Sequence, residues 1–296
     1  MVFMPMVFTD QQPLVSIITS VRNGAVYLED TIQSVLRQDY PNIEHIIIDD
    51  GSNDEGATVA ILKRYPHLRW WSRENRGIYA TLNEGFAAAT GSILVNISAD
   101  DMYVVPSAIS AVVNYWQSHP SLGCIYGRLL YVDKDGLPLP VQMHPAGPWP
   151  TWLLRYVFFT ALPSLFVSRE ITIKENLWFD DSLQLAADWD WVIRLAKTGC
   201  KFGYLNRYLG MHRIHNGQAS RVKLQTMHHE RHEICRRYGM SYPLLLVVDR
   251  VLGYPSVVLK ALWILRTKGI KNLIEEVVRW LRRPKCVSDS LLDKKQ

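Results

Sequence analysis

Between Leu14 and about Leu130, short apolar and β-branched runs alternate with longer stretches whose apolar residues recur three and four positions apart. The runs 14–20 (LVSIITS), 43–50 (IEHIIIDD), 68–72 (LRWWS) and 93–98 (ILVNIS) have the length and composition of buried strands. Helical spacing fills the intervals, from Asn23 to about Gln38 and over 55–65, 79–90 and 105–119. Asn23 offers a cap to the first of these helices and Gly91 stops the third. Such alternation predicts an α/β fold with a mainly parallel central sheet flanked by helices. Ligands of sheets of this kind sit at the carboxyl ends of the strands. Asp49 and Asp50 end one run, and Asp100 and Asp101 closely follow another, so both acidic pairs fall on one rim.

The rhythm changes near Cys124. The stretch CIYGRLLYV, then DKDG, then LPLPVQM reads as a hairpin, and an aromatic-rich segment follows at 148–168. Residues 183–199 (LQLAADWDWVIRLAKTG) read as a helix ended by Gly199, 200–215 as strand-like, and 221–238 as a charged helix. The stretch 242–285 is apolar but interrupted by Asp249, Arg250, Lys260 and Arg266, which a spanning helix does not carry cheaply at its centre. An interfacial amphipathic segment accommodates them, with Trp263 and Trp280 at the headgroups; packing on the protein's own core or in a dimer is the alternative.

Composition narrows the class. With 296 residues, 48% of them hydrophobic and 21% charged, the chain has enough apolar surface for a large core plus an appendage. A net charge of +5 is too weak to argue for nucleic acid as a partner. Cys124, Cys200, Cys235 and Cys286 form no C-x-x-C pair, which suits a reducing cytoplasm and argues against structural zinc. The opening MVFMPMVF lacks a basic region and is broken by Pro5, so it is not read as a secretory leader. No G-x-G-x-x-G or G-x-x-x-x-G-K-[ST] stretch is present, which disfavours dinucleotide and P-loop enzymes.

Two adjacent carboxylates repel, and burying them is costly unless something neutralises them. At Asp100–Asp101 the residues alone allow a solvated turn or helix cap, or a cation. A magnesium-type ion binds through one or two carboxylates plus substrate phosphates, which suits paired acids beside an open rim.

The run VSIITSVRNGAVYLEDTIQSVLRQDYPNIEHIIIDDGSNDEG resembles the opening of the inverting family 2 glycosyltransferases of GT-A fold. ENRGIYATLNEGFAAATGSILVNISADD, LAADWDWVIRLAKTG and HRIH extend the resemblance, in order, over about residues 14–215. It implies a transferase that moves a sugar from a nucleotide-sugar donor, a UDP-sugar by preference, to a hydroxyl of a glycan or lipid-linked acceptor. The expected cofactor is a divalent cation, Mg2+ or Mn2+. The organisation that follows is an N-terminal extension (1–13), a nucleotide-sugar-binding half (14–123), an acceptor-binding half with the catalytic base (124–240), and amphipathic C-terminal helices (241–296). Those helices would contact the inner face of the membrane, giving a cytoplasmic, peripheral location.

By the same resemblance, Asp101 is a metal ligand, Asp100 lies near the ribose and metal shell, and Asp50, beside Gly51 and Ser52, accepts the imide N–H of uracil. Thr19 and Val21 end the first strand where the family packs on the base, although the family often has an aromatic residue at the position of Val21. Arg76, with Gly77, is a contact for diphosphate or ribose. Asp188 is the base that takes the acceptor hydroxyl's proton, as an Asp within hydrogen-bond reach is able to do; Ala187 stands where many relatives carry a second acid. Asp190 competes for that role, but two residues along a helix points about 200° away. His215 matches the R-x-H that closes over diphosphate and metal, with Arg213 before it. His212 with His215 is a weak metal motif by itself, and His228, His229 and His232 read as a solvated face. Other classes are a catalytically inactive carbohydrate-binding relative and a sugar nucleotidyltransferase, which would need a Gly-rich phosphate loop that TSVRNGAVYLED does not supply.

Overall fold

The structure is a computed structural model that describes residues 12–139, 144, 146–155 and 158–240. The amphipathic segment 241–296 and most of the extension 1–13 lie outside the described residues. The chain begins with β1 (Val15–Val21), α1 (Leu28–Leu36), β2 (Ile43–Asp50), α2 (Ala57–Lys63), β3 (Arg69–Arg73), α3 (Ile78–Ala88) and β4 (Ile93–Asn96). It continues through β5 (Met102–Tyr103), α4 (Ala108–Ser118), β6 (Leu122–Val132), β7 (Leu165–Ser168), α5 (Arg169–Lys174), α6 (Ala187–Lys197), β8 (Lys201–Arg213), α7 (Ala219–Val222) and α8 (Leu224–Arg237).

Among the described residues the strands form one sheet in the order β3-β2-β1-β4-β7-β6-β8-β5. The first four are parallel, as their apolar runs predict; β1, β2 and β4 are largely buried, and β3 is a partly exposed edge strand. On one face, Val15, Ile17, Ile93 and Val95 bury against Ile109, Val112, Val113 and Trp116 of α4. Nearer the strand ends, Val21 and Ile47 pack with Leu28 and Ile32 of α1 and Ile61 and Leu62 of α2. On the other face α3 lies so close to β1 that a Cβ on Gly85 would stand 2.4 Å from Ile18 Cγ2.

One expectation is corrected: Asn23 caps no helix, since α1 starts at Leu28 behind Tyr27 without a side-chain cap and Asn23 bonds Ser52 and Asn53 instead. The aromatic-rich segment contains a buried strand, β7, which runs antiparallel between β4 and β6 and interrupts the parallel order. Only four residues long and surrounded by apolar sequence, it offers no alternation to read. The hairpin after Cys124 is present at its turn, where Val132 bridges Pro138 and backbone bonds join Asp133 to Leu137 and Leu139 to Tyr131, while residues 140–143 of its second arm lie outside the described residues; β6 also pairs with β7 and, in parallel, with β8.

One short pairing positions the site. Directly after the acids, Met102 and Tyr103 of β5 pair antiparallel with Met211 and Gly210 of β8. That ladder brings Asp100 and Asp101 against residues 212–215, more than a hundred positions later in the chain. Among the described residues no helix is long and apolar enough to cross a membrane.

Candidate active site

Asp101 is fully buried, and both its carboxylate oxygens are engaged. Oδ1 accepts the Arg213 backbone N–H at 3.0 Å, and Oδ2 accepts from His212 Nδ1 at 3.2 Å. Thr31 of α1 donates its hydroxyl to the Asp101 carbonyl at 2.7 Å, so the turn is held from a third element. Burial lowers the His212 pKa, but the Asp101 carboxylate, with Asp100 and Asp188, more than reverses this and raises it to about 9. The imidazole is therefore a cation at neutral pH.

Asp100 stands beside this pair with its side chain one-quarter exposed. Its Oδ2 accepts from His215 Nε2 at 2.9 Å, and the His215 ring lies against Tyr27 with centroids 4.9 Å apart. Burial and the neighbouring Asp101 charge raise the Asp100 pKa, and His215 and His212 oppose them. Arg213 knits the cluster together: its guanidinium donates to the Asp100 carbonyl at 3.1 Å and to Asp30 at 2.8 Å, and lies 4.4 Å over the Tyr27 ring. Arg213 and His215 of the R-x-H pair thus both contact Asp100.

At the end of β2, Asp50 is almost fully buried. Its Oδ1 accepts the Arg76 backbone N–H at 2.8 Å and its Oδ2 accepts that of Gly77 at 3.0 Å, where the chain turns into α3. Arg73, in register with Asp50 on the neighbouring strand, donates to Oδ1 at 2.5 Å and also to Glu84 and the Thr81 hydroxyl. Gly51 has φ of 71° and a Cβ there would meet the Asn75 nitrogen at 2.8 Å, so this turn needs a glycine. Asp49 closes the strand end by accepting from Ser52 and Ser72. The side chains of Thr19 and Val21 do not reach the rim: the Thr19 hydroxyl bonds His45 at 3.1 Å, and Val21 is part of the core. What the end of β1 offers a ligand is backbone. The Arg76 side chain is exposed at the same rim.

Asp188 is the second residue of α6. Its Oδ1 accepts the Trp189 N–H at 2.8 Å and, at 3.4 Å, the hydroxyl of Tyr79 in the first turn of α3. Close packing raises its pKa to about 6, against the pull of the Trp189 N–H, Arg231 and Tyr79. Asp188 is linked to both acidic pairs. Tyr79 follows the Gly77 that Asp50 grips, and the Asp188 charge acts on His212, which holds Asp101. Asp190, in contrast, is fully buried and bonded to Arg194, Arg237 and Tyr238. Trp189 and Trp191 are packing residues whose indole N–H groups donate to the carbonyls of Leu154 and Leu177.

A known family matches this chain: Glycosyl transferase family 2 matches residues 16–180, more than half of it. The chain belongs to glycosyl transferase family 2. It is 25% identical over 227 residues to a chondroitin synthase of Escherichia coli, a match that covers 74% of this chain and 32% of the synthase. The chain therefore spans about a third of that relative's length. Among solved structures, S. aureus TarS 1-349 in complex with UDP-GlcNAc superposes with a TM-score of 0.61 at 17% identity, over 75% of this chain and 64% of that one. Mannosyltransferase PcManGT from Pyrobaculum calidifontis, in complex with GDP-Man and Mn2+, superposes with a TM-score of 0.57 at 17% identity, over 95% and 79%. The fold is that of the GT-A glycosyltransferases.

Within this glycosyltransferase, no group of three or more His, Cys, Asp or Glu side chains stands ready to hold a metal among the described residues. The donors fit a hard cation nonetheless. Asp100, one-quarter exposed, offers its carboxylate to an ion of this kind, which completes its shell with water and phosphate, whereas Asp101 joins only where the His212 or Arg213 bond to its oxygens gives way. Sequence reasoning missed Arg73, Tyr79, Thr31 and the charge on His212. Only Arg73 carried a signal, since it directly follows the strand run 68–72 as Asp50 closes the run 43–50.

Proposed function

We propose that this glycosyltransferase moves a sugar, with inversion, from a UDP-sugar to a hydroxyl of a glycan or lipid-linked acceptor, with Asp188 as the general base. The observation that supports the reading is the Tyr79 hydroxyl's bond to Asp188, which ties that acid to the helix whose start Asp50 holds. Asp50 reaches the start of α3, the Tyr79 of that helix reaches Asp188, and Asp188 acts on the His212 that holds Asp101. A base works best with a pKa near the operating pH, and a carboxyl raised to about 6 is ionised at neutral pH yet a better proton acceptor than an ordinary aspartate. Attack opposite the nucleotide, with one base and no enzyme nucleophile, inverts the anomeric centre.

Asp50, backed by Arg73 and Arg76, is assigned to the uracil edge, where a carboxylate accepting an imide N–H rejects bases that lack this donor. Backbone at Thr19 and Val21 borders the base. Asp101, Asp100 and His215 are assigned to a divalent cation, Mg2+ or Mn2+, which when bound neutralises charge growing on the leaving diphosphate. The halves 14–123 and 124–240 are assigned to donor and acceptor, and 241–296 to peripheral contact at the cytoplasmic membrane surface.

The test is a thermal-shift screen of UDP, GDP and dTDP sugars with manganese or magnesium, since donor binding stabilises the native state by mass action. UDP-sugars with metal should shift the melt, and EDTA should remove the shift. Asp188→Asn should keep the shift and lose transfer, and NMR of the product should show the inverted anomer. A shift confined to GDP or dTDP sugars would overturn the assignment of Asp50. Transfer surviving in Asp188→Asn would overturn the base, and a protein that binds donors yet never releases UDP would be an inactive carbohydrate-binding relative.

A further inference from the structure

We propose that Glu230, on α8, is a positioning residue that fixes the turn presenting Asp188; the proposal rests on the reading of Asp188 as base. Glu230 is only 6% exposed. Its Oε1 accepts the Gln184 N–H at 2.6 Å, and its Oε2 accepts those of Leu185 at 2.8 Å and Ala186 at 2.9 Å. These three groups lead directly into α6, whose N-cap residue, Ala186, has no side chain able to cap. Helix starts leave N–H groups without partners, and a local Ser, Thr, Asp or Asn usually satisfies them. Glu230 instead takes the N–H groups of the N-cap residue and the two residues before it, from another helix, 44 positions downstream of Ala186. A local cap would stabilise the helix equally well but would travel with it. An acceptor on α8 ties the turn to a second element, and Lys223, at the start of α8, adds a bond to the Gln184 side chain at 3.0 Å.

Beside the charge of Arg231, two hydrogen bonds reach the Asp188 carboxylate. The Trp189 N–H belongs to the same turn and moves with it, and the Tyr79 hydroxyl stands at 3.4 Å, the outer limit of a hydrogen bond. A displacement of about 1 Å in a reacting group is able to cost about 10²-fold in rate. The buried carboxylate of Glu230, with three charge-assisted bonds to backbone, is built to prevent such a displacement.

Glu230→Asp keeps the charge but withdraws the carboxylate by one carbon–carbon bond, about 1.5 Å, so it cannot reach all three N–H groups. The full chain is assayed with UDP-sugar, acceptor and metal for kcat, donor Kd, Tm and the pH profile of kcat/KM. We expect kcat to fall at least tenfold, donor Kd to stay within twofold, and no further loss when the change is added to Asp188→Asn. The acid limb of the profile should move to lower pH. A loosened turn admits water to a carboxyl that burial had raised, while the groups facing it, Tyr79 of α3, His212 of β8 and Arg231 of α8, are unchanged. If Glu230→Asp does not fold, Glu230→Gln, of the same size and with one acceptor oxygen, is read in its place and should show the same pattern. A kcat within twofold of wild type, or kcat, donor affinity and Tm falling together with an unmoved profile, would overturn the proposal. An active Asp188→Asn would instead remove the base reading beneath it.

Discussion

Replacing Asp190 by Asn should lower stability and spare the chemistry, whereas replacing Asp188 by Asn should do the opposite. Asp190 is fully buried, with Oδ2 2.7 Å from Arg194 Nε and Oδ1 accepting from Arg237 at 3.2 Å and from the Tyr238 hydroxyl at 2.7 Å. Asn keeps the shape and one acceptor but turns an N–H group toward a donor. Removing one partner of a buried ion pair costs about 3–5 kcal/mol. The Arg194 and Arg237 side chains are 28% and 36% exposed and regain water, so about 2–3 kcal/mol is expected here. At about 2–4 °C per kcal/mol for a domain of this size, Tm falls by roughly 4–12 °C.

Asp188 has a folded pKa of about 6, above the ordinary value of an aspartate, so the native state holds its proton more tightly than the unfolded chain does. Its contribution to stability is present at low pH and is lost as pH rises from about 4 to about 6. Asp188→Asn escapes that loss. Discounted for the partial exposure of the side chain, the gain above pH 7 is on the order of 1–2 kcal/mol, or a rise of roughly 2–8 °C. Thermal melts at pH 7.5, with UDP release from donor plus acceptor measured on the same samples, decide the matter. An Asp190→Asn protein that melts within about 1 °C of wild type would refute the packing argument. One that keeps its Tm and loses turnover would move the base to Asp190, and an Asp188→Asn protein that melts well below wild type would show that Asp188 is structural.

Other expectations follow from the same geometry. With Asp188 at about 6, kcat/KM should rise with pH and level off above 7, standing about tenfold lower at pH 5; a limb near pH 4 would mean an ordinary, unburied carboxyl. Asp50→Ala should raise the Kd for UDP about tenfold or more by calorimetry, the worth of one charge-assisted bond. An unchanged Kd would leave Asp50 as a tie for the loop before α3. Gly85→Ala puts a methyl 2.4 Å from Ile18 Cγ2 beneath α3, and should cost about 1–3 kcal/mol in a denaturant titration. A neutral result would mean that the helix shifts without cost.

Much of the frame from β1 to α4 was legible because its signals are local. Each parallel strand carries its own apolar run, and β2 ends at Asp50, where the run IEHIIIDD stops. Glycines stand at the starts of α2 and α3, whereas the cap expected of Asn23 is not made, and the acids sit where the strand runs give out. The later half resisted for an equally physical reason. β7 is four buried residues inside an aromatic stretch, with no polar face to reveal its period. Beyond its hairpin turn, β6 found its neighbours in segments 40 and 80 positions further along the chain.

The partners of the acids were hidden by distance rather than by weak signals. His212 is unremarkable in sequence; it becomes a cation only because the β5–β8 ladder sets it beside Asp101, and nothing local to either residue encodes that pairing. Glu230 reads as one charge on a solvated helix until α8 is laid across the start of α6, where a buried carboxylate meets three backbone donors. In both cases the residue type is ordinary and the partner supplies the chemistry. Arg73 marks the boundary between the two situations. Its strand is legible, its register with Asp50 follows from parallel pairing, and the ion pair across adjacent strand ends follows from the register. A contact is readable in advance when the secondary structure alone dictates it; where tertiary topology dictates it, the side chain gives no warning.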